Sequence, residues 1–270
     1  MSLKNKKAIV TGGLNGIGRK VAETLLEQGT DVLVLDIAGK QWENINNEWR
    51  KNFPDAKFHF LKCDICNREE VISSFEQAYS ILNGLDIVIN NVGIFDEGNW
   101  EMSLNVNFIA VVRVSYIGIN LMSKAKGRNG GVIINSASVA GLGSFAYPVY
   151  SSTKHGITSF TRSIAVIPGF LELHGVRVNS VCLGGVQTQM QRLPDFKQST
   201  EPDALPSIDI INKLKTHFLK SFMFENMISV DKAASLYLQI IKDTEIHGKN
   251  LYYFSNEQEE PIYHTFNDLF

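Results

Sequence analysis

Cysteine is scarce in this chain of 270 residues, which contains three: Cys63, Cys66 and Cys182. So small and odd a number excludes a disulfide framework and favours a reducing compartment. Cys63-Asp64-Ile65-Cys66 has CxxC spacing, but a structural zinc site needs two more ligands, and no second CxxC is present. We therefore expect reduced, incidental cysteines and no metal.

Long apolar runs and a charge excess are also lacking. The first apolar run, Ala8-Ile9-Val10, is much shorter than the core of a signal peptide, and no run approaches the roughly 20 apolar residues of a membrane helix. Lys and Arg number 26 and Asp and Glu 28, for a net charge of −2. This balance predicts no nucleic-acid partner and no integral membrane association. A cytoplasmic protein is the expectation.

What the chain does contain is an alternation of apolar, β-branched segments with longer amphipathic ones, which predicts βαβ units. Strands are predicted at 8–10, 31–36, 57–63, 85–90, 131–136, 176–182 and 249–254, and helices at 19–28, 42–52, 68–82, 99–124 and 150–173. Since the strand segments are apolar throughout, the sheet should be covered on both faces. The prediction is an α/β protein: a single-domain, Rossmann-like, doubly wound parallel sheet of about seven strands with helices on both faces.

The least regular stretch lies around residues 187–229 and carries Pro194, Pro202 and Pro206. A long insertion before the last strand of a single domain over 1–270 is usually functional or mobile. Its apolar residues suit a lid over a hydrophobic substrate. They suit a satellite core or an oligomer contact about equally well.

A glycine-rich turn, Thr11 to Gly18, follows the first strand and opens the first helix. Glycine permits positive φ and lets the backbone approach a pyrophosphate, which the helix N-terminus then binds. The second strand ends at Asp36, whose carboxylate can accept both ribose hydroxyls of NAD and would repel the 2′-phosphate of NADP. No Arg or Lys stands at Gly13, Leu14, Asn15 or Ile37 to pair with that phosphate. The predicted cofactor is NAD.

Further motifs follow in a fixed order along the chain. They are Asp64 after the third strand, Asn90-Asn91-Val92-Gly93, Asn107 in a long helix, Ser138 after the fifth strand, and Tyr150-Ser151-Ser152-Thr153-Lys154. With the TGxxxGIG spacing, this order resembles the short-chain dehydrogenase/reductase family over nearly the whole chain. Three segments resemble the branch containing 15-hydroxyprostaglandin dehydrogenase and the insect alcohol dehydrogenases: Asn99-Trp100-Glu101, Leu121-Met122-Ser123-Lys124 and Lys154-His155-Gly156-Ile157. That branch implies NAD and secondary alcohols or ketones, often lipid-like.

Tyr150 and Lys154 lie four residues apart, on one face of a helix. The lysine ammonium would stabilise a tyrosine phenolate and lower a pKa that is ordinarily near 10. Tyr150 is therefore the predicted base, and Ser138 is expected to hold the substrate oxygen. The resemblance implies that Lys154 also binds the nicotinamide ribose and that Asn107 holds a water of a proton relay. His155 points about 100° away around the helix and is predicted to be structural.

The sites implied by pattern and resemblance together form two sets. Predicted cofactor contacts are Gly12, Leu14, Asn15, Gly16, Ile17, Gly18, Asp36, Ile37, Cys63, Asp64, Ile65, Asn91, Gly93, Tyr150, Lys154, Gly184, Val186 and Thr188. Predicted substrate contacts are Ser138, Leu142, Phe145, Tyr147 and Met190. One position departs from the family: Leu183 stands where a proline is usual, so a somewhat less rigid nicotinamide site is expected.

The predicted function is hydride transfer between a hydrophobic secondary alcohol (terpenoid, steroid, fatty or eicosanoid type) and NAD. Two alternatives stay open: a physiological carbonyl reductase, and a catalytically weak member that binds NAD or a lipid. The two long helices are more apolar than one buried stripe requires. With the resemblance, this predicts a homodimer or homotetramer.

Overall fold

One eight-stranded sheet organises the chain, in the order β3-β2-β1-β4-β5-β6-β7-β8. The computed structural model describes residues 2–143, 147–188, 227–255 and 257–264. The strands are β1 Lys7–Thr11, β2 Asp31–Asp36, β3 Phe58–Lys62, β4 Ile87–Asn90, β5 Gly131–Ser136, β6 Val176–Leu183, β7 Asn250–Tyr253 and β8 Ile262–His264. All neighbouring pairs are parallel except β7 with β8. The predicted doubly wound sheet is confirmed, with one short antiparallel edge strand added.

Helices cover the sheet on both faces. They are α1 Gly16–Glu27, α2 Trp42–Asn52, α3 Arg68–Leu82, α4 Trp100–Leu104, α5 Ala110–Met122, α6 Pro148–Ala165, α7 Phe170–His174 and α8 Val230–Lys242, with a π-helical turn at Asn105–Ile109 between α4 and α5. Alternate strand residues face opposite layers: Val10 packs in the core beneath α1 and α8, and Ile9 in the core beneath α3 and α5. Both faces are therefore buried, as the uniformly apolar strands predict.

The helix predicted at 150–173 is instead two helices, because α6 ends at Ala165 and α7 begins at Phe170. Pro168 disfavours helical backbone in the residue before it. Gly169 takes a φ of +74°, in the left-handed region that a continuing helix does not use. The prediction was wrong here because apolar periodicity continued across a local break in the backbone.

The helical stretch Trp100–Met122 lies within the helix predicted at 99–124, and it is more apolar than the expectation of no membrane-length segment allowed. Among the described residues it alone has the length and composition to cross a membrane. Half of its most apolar window is buried inside the protein, as is usual for a core helix. It packs against β4 and β5 in the centre of the sheet.

His247 gives the fold a pH dependence that can be tested. The Val178 N–H donates to its Nδ1 at 3.1 Å, while its buried Nε2 has no hydrogen-bond partner among the described residues. Burial and then the charge of Arg177 lower its pKa, so between the folded pKa and about 6.5 the unfolded chain binds more protons. Stability should be fully present above pH 6.5 and fall below it. The midpoint of urea unfolding from pH 7.5 to 5 should fall less in His247→Gln, and an unchanged pH slope would contradict this.

Candidate active site

A cleft of about 590 Å³ opens where the carboxyl ends of the central strands meet. This is the edge at which parallel α/β sheets bind ligands. Most of the predicted site residues line it: Gly12, Asn15, Gly16, Ile17, Asp36, Ile37, Cys63, Asp64, Ile65, Asn91, Gly93, Ser138, Tyr147, Tyr150, Lys154, Gly184, Val186 and Thr188. Residues spread over much of the sequence thus meet in one cleft.

Four predicted residues do not line the cleft, and two more lie outside the described residues. Leu14, Gly18, Asn107 and Leu142 are not among the residues lining the cleft. Leu142 was predicted to touch substrate, yet it follows the short 3₁₀ turn Val139–Gly141 and is 43% exposed to solvent. Phe145 and Met190, with nearly all of the predicted insertion, lie outside the described residues.

The glycine-rich turn leaves β1 at Thr11 and enters α1 at Gly16. Gly12 and Gly16 have φ of +66° and +52°, so the turn requires glycine at both positions. The Asn91 side-chain amide donates to the carbonyls of Thr11 and Gly12, each at 3.2 Å. Asn91 therefore holds the turn in place from β4. Gly18 lies on the inner face of α1, where a Cβ would overlap the Gly12 carbonyl oxygen and the Asn91 amide.

Asp36 closes one end of the cleft. Its two carboxylate oxygens accept the N–H groups of Leu14 at 3.1 Å and Ala38 at 2.9 Å. The Leu14 side chain is buried in the core, so Leu14 supports the site through its backbone. These two bonds fix the orientation of the carboxylate and leave lone pairs for further donors.

The neighbouring loop after β3 carries Asp64 and the two cysteines. Asp64 accepts the Cys66 N–H at 2.9 Å. Arg113 on α5 donates to the carbonyls of Ile65 at 3.0 Å and Cys66 at 3.2 Å and so fixes this loop. Burial raises the pKa of both the Cys63 and the Cys66 thiols. No group of three or more potential metal ligands occurs within the described part of the chain.

Ser138, Tyr150 and Lys154 lie at the opposite end of the cleft. Lys154 is 4% exposed, its Nζ donates to the Ser136 carbonyl at 2.9 Å, and it lies 5.4 Å from the centroid of the Tyr150 ring. Burial lowers the Lys154 pKa to about 8. Burial also raises the pKa of Tyr150, and a hydrogen bond to Ser138 partly offsets this rise. The protein side chains alone therefore do not bring the tyrosine pKa down.

Asn107 lies in the π-helical turn and is fully buried. Its side-chain amide accepts the N–H of Ile94 and donates to the carbonyl of the same residue, both at 2.8 Å. A Cβ built on Gly93 would lie 3.4 Å from Asn107 Oδ1 and 3.7 Å from Lys154 Nζ. Asn107 and Lys154 therefore both lie next to Gly93, although Asn107 itself does not line the cleft. A water relay at this point stays a prediction.

Leu183, the departure from the family pattern, is the last residue of β6 and pairs in register with Tyr253 of β7. Its side chain is 5% exposed, and its carbonyl accepts the Ser138 hydroxyl at 3.4 Å. The sheet thus holds the backbone at this position, which limits the loss of rigidity expected from replacing proline.

Sequence reasoning did not single out three residues that lie in or beside this site. The Phe95 ring packs edge-on against Tyr147 and Tyr150, with centroid distances of 4.6 and 4.9 Å. Tyr237 of α8 exchanges a 2.7 Å hydrogen bond with the Ser136 hydroxyl at the cleft wall. Glu97 is 2% exposed and accepts two backbone N–H groups at the start of α6. Phe95 and Glu97 closely follow the motif at 90–93, whereas Tyr237 belongs to no motif in the sequence.

The fold and this cleft define a class, the α/β oxidoreductases that bind a dinucleotide at the carboxyl edge of a Rossmann-like sheet. A family model described as "short chain dehydrogenase" matches residues 6–197. The chain is 40% identical over 192 residues to 15-hydroxyprostaglandin dehydrogenase (NAD+) of Homo sapiens, covering 70% of this chain and 71% of that protein. It is 33% identical over 193 residues to alcohol dehydrogenase 2 of Ceratitis capitata, covering 71% and 74%. The chain belongs to the short-chain dehydrogenase family.

Solved structures agree on the fold. The crystal structure of levodione reductase superposes with a TM-score of 0.76 over 94% of this chain and 97% of that one, at 20% sequence identity. At that identity the likeness shows the architecture alone. The family match ends at residue 197, so most of the 187–229 segment has no counterpart in it.

Proposed function

We propose that this chain is an NAD-dependent alcohol dehydrogenase that moves a hydride between a hydrophobic secondary alcohol and NAD. The observation that carries the proposal is one cleft with Asp36 at one end and Ser138, Tyr150 and Lys154 at the other. The residues present fit a dinucleotide, because Gly12 and Gly16, with φ above +50°, line the cleft without side chains and let the backbone approach the cofactor. NAD, when bound, accepts the hydride and brings a positively charged ring to the tyrosine end.

The chain's own residues handle the proton. As the carbinol C–H bond breaks, the O–H proton must leave the alcohol, and Tyr150 accepts it as the phenolate. The buried phenol has a raised pKa, so a nearby positive charge must stabilise that phenolate. Lys154 supplies one from the next turn of α6, where its bond to the Ser136 carbonyl holds the ammonium in place. The Ser138 hydroxyl orients the alcohol oxygen toward Tyr150.

The substrate end of the cleft supports an apolar alcohol. Its described walls are mainly hydrophobic: Ile94, Phe95, Met102, Val106, Val139, Ala140, Tyr147, Val186 and Met227. The Tyr147 hydroxyl is buried without a hydrogen-bond partner among the described residues, and burial raises its pKa to about 12. Tyr147 therefore presents an uncharged side chain to the cleft. A terpenoid, steroid, fatty or eicosanoid alcohol fits these walls, with the 187–229 segment as the proposed lid.

The test is a screen for NADH formation with secondary alcohols of these four types. The matched negative substrates are tertiary alcohols, which have no carbinol hydrogen to transfer. We expect NADH from at least one secondary alcohol and none from the tertiary ones. If NAD binds but neither alcohol oxidation nor ketone reduction occurs with any pair, the chain is a binding protein and the proposal is wrong. Preference for ketone and NADH at cellular concentrations would favour the reductase alternative.

Cofactor choice gives a separate prediction at Asp36. A carboxylate fixed by two N–H bonds would meet the 2′-phosphate of NADP as a like charge, and such repulsion costs several kcal/mol. Asp36→Ala should shift the NAD-to-NADP ratio of kcat/KM toward NADP by about 100-fold. Asp64→Ala, in the next loop, is the matched control and should weaken both cofactors alike. Equal use of both cofactors by the unaltered protein would contradict the role of Asp36.

Assembly and location are part of the proposal. Apolar side chains on the surface of α5 and its preceding turn include Ile109 at 45% and Tyr116 at 59% exposure. Covering them in a homodimer or homotetramer would remove apolar surface from water. We propose such an oligomer in the cytoplasm, and sedimentation velocity at micromolar concentration measures its size.

A further inference from the structure

We propose that Glu97 is a positioning residue for Tyr150: its buried carboxylate holds the first turn of α6 so that the phenol faces Ser138. This inference rests on the proposed function, in which Tyr150 is the base. Glu97 lies in the loop after β4, outside every motif that identifies the family. The described structure nevertheless brings it against the backbone of the tyrosine itself.

Glu97 accepts two hydrogen bonds from the start of α6. One carboxylate oxygen accepts the Tyr150 N–H at 2.8 Å, and the other accepts the Val149 N–H at 3.0 Å. The glutamate side chain is 2% exposed. A carboxylate held on both oxygens by adjacent amides of one helical turn has one orientation, and it restrains that turn in the same way.

Among the described residues, no side chain other than Glu97 caps the start of α6. Pro148 is the first helical residue and has no N–H, and the Tyr147 side chain makes no capping bond. The next free donors are the amides of Val149 and Tyr150, which both point at Glu97. A negative charge at a helix N-terminus is also favoured by the helix dipole. Burial raises the Glu97 pKa, while the two backbone hydrogen bonds act to lower it.

The same loop also restrains the tyrosine ring. Phe95, two residues before Glu97, places its ring edge-on to Tyr150 at 4.9 Å. Tyr150 is therefore held at its backbone by Glu97 and at its ring by Phe95. Lys154, one turn further along α6, is anchored separately by the Ser136 carbonyl. Loss of the Glu97 bonds should move Tyr150 relative to both Ser138 and Lys154.

The kinetic test compares Glu97→Ala and Glu97→Gln with Asp96→Asn. Asp96 is the matched control, since its carboxylate accepts N–H groups of Gly98 and Asn99 within its own loop. Displacing a reacting group by about 1 Å can cost about 100-fold in rate. We expect kcat to fall about 100-fold in Glu97→Ala and about tenfold in Glu97→Gln, which keeps one acceptor. The KM for NAD should stay within about twofold in all three variants, and kcat should be unchanged in Asp96→Asn.

A second readout does not depend on turnover and separates this inference from the proposed function. The near-ultraviolet absorbance of the phenolate is titrated in each protein and in the same protein with Tyr150→Phe, so that the difference reports Tyr150 alone. A displaced Tyr150 loses the Ser138 bond that lowers its pKa, so its titration should move to higher pH in Glu97→Ala. If the Tyr150 titration and kcat both match the unaltered protein and only the melting temperature falls, Glu97 is merely a helix cap and the proposal is overturned. If no alcohol is turned over by any protein, the titration still decides.

Discussion

Replacing Tyr150 by phenylalanine is expected to lower kcat by about 1,000-fold while NAD binding stays within about twofold. The change removes one oxygen, the only atom at the site proposed to take the alcohol proton, and general-base catalysis contributes about 100- to 10,000-fold. The Phe95 contact to the ring is retained because phenylalanine keeps the aromatic ring. NAD affinity is read from quenching of intrinsic fluorescence, and kcat from NADH formation.

Tyr79→Phe is the matched control for this experiment. Tyr79 lies on α3 beneath the Arg128 guanidinium, which is 4.9 Å from its ring centroid, and it does not line the cleft. It should keep full activity. Turnover by Tyr150→Phe within about tenfold of the unaltered protein would mean that another group takes the proton.

Replacing Gly18 by alanine should have the largest effect on cofactor binding. The added methyl group would overlap the Gly12 carbonyl oxygen and the Asn91 side-chain amide, so α1 must move away from the glycine-rich turn. Overpacking of this kind costs about 1–3 kcal/mol. If this cost destabilises the NAD complex by about 3 kcal/mol relative to the free protein, NAD affinity drops about 100-fold. Isothermal titration calorimetry with NAD measures this loss.

Gly39→Ala is the control for the same chemical change. A Cβ there would lie 3.6 Å from the Phe60 ring, an ordinary contact, and its φ is not positive. Its NAD affinity and melting temperature should be close to those of the unaltered protein. Equal affinities in Gly18→Ala and Gly39→Ala would show that close packing of α1 on the turn is not needed for binding.

Much of the fold could be predicted from sequence because its signals are local. The strands from β1 to β7 are largely apolar, and that pattern is set by burial on both faces of a parallel sheet. The eighth strand was missed because three residues at a sheet edge carry no period of their own. The break between α6 and α7 was missed because the apolar period of the helix continued through Pro168 and Gly169.

The cleft was predictable to the extent that each residue belongs to a local motif. Gly12 and Gly16 are required by backbone conformation, and Tyr150 and Lys154 by the geometry of one helix. Leu142 does not line the described cleft, since nearness to Tyr150 in sequence does not fix the direction of a side chain after a 3₁₀ turn.

The chain predicts the parallel sheet, the glycine-rich turn and the spacing of the proposed catalytic pair without reference to the fold, since each depends on residues within one or two turns or strands. The groups that support these features are identified by the folded structure. Glu97 bonds to Tyr150 across 53 residues of chain, and Arg113 bonds to Ile65 across 48. From the sequence alone, a glutamate or an arginine is expected to be an ordinary charged residue at the surface. Its partner is a backbone N–H, which every residue except proline offers, or a backbone carbonyl, which every residue offers, so only the folded chain identifies it.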